Sequence, residues 1–543
     1  MPQTKLSSGA GAAGEAPERR AARWNDIMWN TVLHSGALVP ALGAGGAARL
    51  ARVSREARGE FAAAPEALWG SLYASASRAE LERLFWRALR AREAAHVALA
   101  LRAASHPARG DFRAELLLLR DDNQQNEDEG CLYACAMSND VATARVLVEA
   151  AREAGVLREL LLPLNEGRSC LLPCVTDGHA EMLEVLLAGA AAAPLVEGEL
   201  SCLFLLLELH ADDDDEAGGG CLQFAAVCGD LRTLSVLLEA GRSAGAMSTL
   251  LDATDRRDAT CLHWAAERGE LRPVEMLLEA ARDAGVQPKL LNARNDDGET
   301  CLHVAVEKEN LEVVRALLAV GGAALARVGG DDGNTALHVA VRSGDLGLVH
   351  VLLDVGGRAL LLRTNNEGCS CVHMSTERVC EDESAQRSLL PVVNTLLGFA
   401  NRLGGGALGV ALLLRDNSGW SCLLTATASR HSGVMRALLG AAHLAGVEQQ
   451  LLLMTSDEGD SCLMHAAGLG DDPALPVQRQ SAAVLAALLD SPFARELVTL
   501  RDSAGRTALE AAVELGHTQA VRVMLAWQRD AGAARVRAYG GRG

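Results

Sequence analysis

The sequence predicts an all-α solenoid of stacked helix-turn-helix units joined by β-hairpin loops, with a small helical module ahead of it. Three observations carry that expectation. Of the 543 residues, 49% are hydrophobic but only 3% aromatic, so the apolar content is Ala, Leu and Val. Such a mix suits thin helical layers, whereas a β-sandwich or β-barrel draws on aromatic and β-branched residues. One sequence pattern returns again and again through most of the chain. Aromatic density and the sign of the charge both change near residue 110.

Residues 1–21 are rich in Gly, Ala and Ser and read as a disordered leader. They lack the basic-then-apolar order of a secretory signal. Residues 22–112 hold eight of the seventeen aromatics, Trp24, Trp29, Trp69 and Trp86 among them. Up to residue 110 there are 15 Lys and Arg against 9 Asp and Glu, a net of +6, which leaves −25 for the rest. Both contrasts mark a domain boundary. Within residues 77–126, Leu81, Leu84, Phe85 and Leu89 lie at helical spacing, as expected for a degenerate repeat capping a stack.

The recurring pattern reads Asp-x-x-Gly-x-Thr-Cys-Leu-His-x-Ala-x-x-x-Gly, followed by a Leu-Leu pair. Its marker Leu stands at 132, 171, 222, 262, 302, 337, 423, 463 and 509, with Val372 in the remaining copy, at spacings of 35 to 51. Each part has a physical task. Gly298, Gly333, Gly419 and Gly505 suit the left-handed tip of a β-turn. Thr260, Thr300, Thr335 and Ser370 stand where a hydroxyl N-caps a helix. Leu277-Leu278 and its equivalents mark the buried stripe of a second helix.

These residues resemble the ankyrin repeat, and the resemblance spans about ten copies over residues 127–528. The departures are Gly130 and Gly220 in place of a capping hydroxyl, and insertions near 191–219, 379–390 and 470–480. Several copies carry an added tail, such as Ala280–Val286. It reads as an extension of the second helix stopped by Gly, then a Leu-rich, strand-like return (Leu160–Leu162, Leu290-Leu291, Leu451–Leu453). Residues 529–543 read as a flexible basic tail, and the last helix, being more polar, as a C-terminal cap.

Cys131, Cys170, Cys221, Cys261, Cys301, Cys371, Cys422 and Cys462 all precede the marker. Copies so far apart form no C-x-x-C zinc site and are expected to pack as small apolar groups. Reduced thiols point to the cytosol or nucleus. His263, His303, His338 and His373 also recur with the repeat, which argues against a catalytic set, and the ankyrin resemblance implies that they link hairpin backbones. The acidic run 211–216 has no EF-hand spacing and reads as a solvated loop.

In the N-terminal module, Leu50-Ala51-Arg52-Val53-Ser54-Arg55 precedes Pro65-Glu66-Ala67-Leu68-Trp69. Residues 22–76 thereby resemble the F-box, although Ala57 stands where that family has its first Trp and the opening Leu-Pro is missing. The resemblance implies that Leu50, Val53, Leu68 and Trp69 contact a Skp-type adaptor.

No phosphate-binding loop, nucleophile elbow or His-Glu-x-x-His helix occurs, so the chain is read as a non-enzyme without cofactor or metal. No apolar run reaches membrane-spanning length. The acidity argues against nucleic acid as a partner.

The ankyrin resemblance implies a monomer that binds proteins on a concave face of hairpins and first helices. In the central copies that face would comprise Trp264, Glu267, Arg268, Val304, Glu307, Lys308, Val339, Arg342 and Ser343, with Trp420 in a hairpin tip. Together the two resemblances imply the substrate-recognition subunit of a cullin–RING ubiquitin ligase, holding a basic substrate. The alternative is an ankyrin scaffold or inhibitor with no ubiquitin role.

Overall fold

The computed structural model describes residues 73–74, 76–106, 111–121, 129–161, 170–192, 219–228, 230–377, 383–429, 431–468 and 478–540. The F-box-like residues 22–69 lie outside them. The described residues fall in two compact units, 1–212 and 213–543.

In the first unit, helix Arg78–Arg90 starts at a capping box. Glu80 Oε2 accepts the Ser77 N–H at 3.0 Å, and Ser77 Oγ accepts the Glu80 N–H at 3.4 Å. It pairs with Ala94–Ala104, and the pair buries Leu81, Phe85, Trp86, Val97 and Leu101. Helices Cys131–Ser138 and Val141–Ala154, then Leu171–Thr176 and Ala180–Ala192, repeat the arrangement. First helix stacks on first helix and second on second, so residues 78–104 form one further helix pair of the same stack.

The second unit has the same architecture. Its inner helices are Cys221–Cys228, Cys261–Arg268, Cys301–Glu307, Ala336–Ser343, Cys371–Glu377, Cys422–Ala428, Cys462–Ala467 and Ala508–Glu514. Each contacts the next, and a parallel row of outer helices does the same. The core is the seam between the rows: marker residues Leu262, Leu302 and Leu337 are fully buried, as are Leu277, Leu317 and Leu352 of the outer row. Antiparallel bridges such as Thr254↔Thr260, Gly329↔Thr335 and Arg415↔Ser421 close a short hairpin before six of these inner helices.

The Leu-rich return is a short third helix, not the strand-like step expected. Leu157–Leu161, Met247–Asp252, Gln287–Leu291 and Glu448–Leu452 occupy these stretches. The left-handed glycines 155, 285 and 446 reverse the chain. The Leu residues that follow fold back onto the outer helix, burying Leu161, Leu290, Leu291 and Leu451. A run of two or three Leu carries no period, so sequence pattern cannot tell strand from helix there.

The two copies with 35-residue spacing omit the extra turn. Gly321-Gly322 and Gly356-Gly357 make the corner instead. A Cβ on Gly321 would fall 2.5 Å from the Leu325 side chain. Gly322 sits at φ 57°, ψ −155°, a region open only to glycine. The pair at 356–357 repeats both constraints.

Residues 383–390 of the insertion expected near 379–390 form the start of the outer helix Glu383–Leu403. The last helix runs Thr518–Gly540, through most of the tail expected to be flexible. The repeat cysteines are buried as expected, and burial pushes the thiols of Cys261, Cys301, Cys422 and Cys462 up to about 12.

Candidate protein-binding surface

In four consecutive repeats the surface is built on one hydrogen-bond chain each. At the start of helix Cys261–Arg268, the Thr260 N–H donates to His263 Nδ1 at 3.2 Å, and the Thr260 hydroxyl lies 2.9 Å from the same atom. With Nδ1 accepting, the ring proton sits on Nε2, which donates to the Glu299 carbonyl of the next hairpin at 3.1 Å. His303, His338 and His373 repeat this link to Asn334, Cys369 and Trp420 at 3.0, 3.2 and 3.3 Å. Burial lowers the basicity of all four, with His303 and His338 brought to about 4. They are neutral structural linkers at physiological pH. One repeat earlier, Gln223 takes the same position and donates to the Ala253 carbonyl at 2.9 Å.

Hairpin tips join directly as well. The Asp296 N–H donates to the Arg257 carbonyl at 2.8 Å, and Asn366 to Asp332 at 3.0 Å. Inside each hairpin a short polar side chain folds the turn: Asp255 Oδ1 accepts the N–H groups of Arg257 and Ala259, both at 2.8 Å. This framework fixes the positions from which the inner-helix side chains project.

Trp264 is half-buried. Its indole N–H donates to Asp255 Oδ2 at 2.8 Å, and its ring meets Phe224 of the preceding repeat edge-on at 5.5 Å. Trp420 is also half-buried and packs on His465, with ring centroids 4.5 Å apart. Its backbone belongs to the hairpin joint, accepting from His373. Val304 and Val339 are only 8% and 5% exposed, so they pack the column of inner helices and offer little open surface.

The charged candidates are open. Glu267, Arg268, Glu307, Lys308 and Arg342 are exposed, and Ser343 is half-buried with its hydroxyl on the Ala340 carbonyl. Glu267 and Lys308 meet across adjacent repeats at 3.0 Å. Arg268 pairs with Glu270 at 3.6 Å. On the hairpins, Arg257 reaches Asp297 at 3.4 Å and Arg294 reaches Asp331 at 3.0 Å. Glu299 lies between them. Partial burial raises its carboxyl pKa, and the nearby Glu307, Asp297 and Asp332 raise it further, against Arg342. The face is thus acidic at its centre, with ion pairs exposed enough to contribute little to stability and to exchange for a partner's charges.

Leu50, Val53, Leu68 and Trp69 lie outside the described residues, as does the acidic run 211–216. Sequence reasoning did not single out Phe224, Asp255 or His465. The signal was present: Phe224, Trp264, Val304, Val339 and His465 all stand two residues after their marker and so form one column along the stack. Among the described residues no group of three or more His, Cys, Asp and Glu could hold a metal ion, and no helix is long and apolar enough to cross a membrane.

A family model agrees with this architecture. Residues 284–361 match the family model of ankyrin repeats in three copies. Among 388 matching chains of solved structures is the ankyrin repeat domain of Bcl-3, described as a unique member of the IkappaB protein family. It is 21% identical, with a TM-score of 0.37, and the match covers 49% of this chain and 98% of that one. No curated protein matches the chain. The chain carries ankyrin repeats and has the fold of an all-α ankyrin-repeat solenoid.

Proposed function

We propose that this chain is a protein-protein interaction module, and that it holds a basic partner across its central hairpins and inner helices. The observation carrying this reading is the acidic centre around Glu299, set between exchangeable ion pairs on a hydrogen-bonded frame. Trp264 and Trp420 are the apolar anchors, because a half-buried Trp already held by a neighbour loses little entropy on contact. Association should weaken with added salt, since charge attraction drives the encounter. Buried, reduced thiols favour a compartment such as the cytosol or nucleus.

A finer reading rests on the F-box-like residues. Leu50, Val53, Leu68 and Trp69 would dock a Skp-type adaptor, making the chain the substrate-recognition subunit of a cullin–RING ubiquitin ligase and the repeat face its substrate site. Affinity capture with mass spectrometry tests both readings on the full chain. Glu267→Lys combined with Glu307→Lys should release the basic partner and leave the adaptor bound. Leu50→Asp and Trp69→Ala should release the adaptor and leave the partner bound. An adaptor absent from the wild-type capture removes the ligase reading and leaves a scaffold or inhibitor. Partner recovery that ignores the Glu-to-Lys changes removes the proposed face.

A further inference from the structure

Internal repeats hide the same positions under the repeat that follows. Four residues after the marker, Ala266, Val306, Val341, Thr427 and Ala467 are fully buried. In the second position of the outer-helix Leu pair, Leu278, Leu318 and Leu353 are 4%, 3% and 0% exposed. In the repeat made by Ala508–Glu514 and Thr518–Gly540 the equivalent residues are Val513 and Leu525, and they are 59% and 49% exposed. Leu515 adds a third open side chain at 60%, and the marker Leu509 is itself half-open. Three apolar side chains therefore stand open on the helix pair read from sequence as a C-terminal cap. This face keeps the aliphatic relief of an inter-repeat interface and is continuous with that row of interfaces.

We propose that this face associates with itself, two copies of the chain packing Val513, Leu515 and Leu525 together about a two-fold axis. A surface with the relief of an inter-repeat interface fits another ankyrin-type helix pair, and a second copy presents one with the same exposed residues. The charges are self-complementary. Glu514 lies beside Val513 and Leu515 on the inner helix. Arg522, exposed and in no ion pair among the described residues, lies three residues before Leu525 on the outer helix. Glu514 is held within its own chain by Arg506 at 2.8 Å, an exposed pair that can be shared. A two-fold axis that crosses inner helix over outer helix brings each Arg522 to the partner's Glu514. It also closes the assembly at two copies, whereas head-to-tail stacking would run on. The patch is small, so the dimer should be weak, with a dissociation constant on the order of 10 μM.

Sedimentation velocity on the full chain from about 1 to 100 μM brackets that affinity. The expected result is a reversible shift towards twice the 57.0 kDa monomer mass. Val513→Glu with Leu525→Glu should weaken it at least about tenfold. Leu444→Glu, at a side chain 76% exposed elsewhere on the outer row, should leave it unchanged. Arg522→Glu should weaken association and Arg522→Glu with Glu514→Arg should restore it, a rescue that a folding defect would not give. Circular dichroism melting confirms that each variant folds. A wild type monomeric throughout the range overturns the proposal, as does a Val513/Leu525 variant that dimerises normally. Masses climbing beyond the dimer overturn the two-fold arrangement.

Discussion

Four consecutive repeats carry His263, His303, His338 and His373 in the first turn of the inner helix, while the three that follow carry Leu424, Met464 and Glu510. In the first block the imidazole accepts from the capping residue and donates to the next hairpin. In the second block the cap works alone or with its own helix. Ser421 and Ser461 hydroxyls accept the N–H of Leu424 and Met464 at 3.3 and 3.4 Å, and Glu510 Oε2 turns back to the Thr507 N–H at 2.7 Å. Between hairpins the backbone joint remains, together with a rim arginine of the kind that Arg294 also supplies in the first block, where it donates to the Gly298 and Gly329 carbonyls at 3.0 and 2.6 Å. Arg415 donates to its own tip carbonyl, Gly419, at 2.9 Å and to the next hairpin's Thr455 carbonyl at 2.6 Å. Neighbours in the first block are thus joined by a buried neutral ring as well as an exposed cation, and those in the second by the cation without the ring. The difference predicts where the stack is sensitive to acid.

Acid should separate the blocks most. A ring whose pKa is lowered by folding leaves the unfolded chain binding more protons below its ordinary value of 6.5. Stability is therefore fully present above that value and falls as pH drops towards the folded value. For His303 and His338, brought to about 4, the loss between pH 7 and pH 5 is about 2 kcal/mol each. Urea unfolding at the two pH values should show it. His303→Gln with His338→Gln should flatten the dependence, since Gln223 already makes a neutral link of this kind. An unchanged pH slope in that variant refutes the account.

Removing the ring altogether comes next. His338→Ala deprives the Thr335 N–H and the Cys369 carbonyl of their partner in a fully buried site and should cost about 3 kcal/mol, read from the urea midpoint at pH 7. Gly322→Ala, at the corner that shortens the repeat, should cost about 2 kcal/mol because its φ and ψ exclude a Cβ. Arg415→Ala in the second block should cost below about 1 kcal/mol, part of it already lost in high salt. If Arg415→Ala outweighs His338→Ala in thermal melts at pH 7, the ranking of the two couplings is reversed.

The spacing of marker, cap and paired Leu made the helix pairs legible, because each pair buries its stripe against another copy of the same sequence. The third helix was not legible, since Leu290-Leu291 has no period and its direction comes from the left-handed Gly285 and the outer helix beneath. The charged candidates Glu267, Glu307, Lys308 and Arg342 are open, as expected of long side chains at the end of an inner helix. Val304 and Val339 are hidden by neighbours in their own column, a consequence of stacking that a single repeat cannot express. Trp420 was visible as a hairpin residue. Its stacking on His465 was not, because the two lie 45 positions apart in sequence.

The cysteine before eight of the ten markers gives the stack a row of chemical clocks. Cys261, Cys301, Cys422 and Cys462 recur at the same depth, each shielded and held as a thiol. An alkylating reagent needs both access and thiolate, so each can react only when its own repeat opens. The rate at which each site is tagged would then give the opening free energy of that repeat, without any engineered probe.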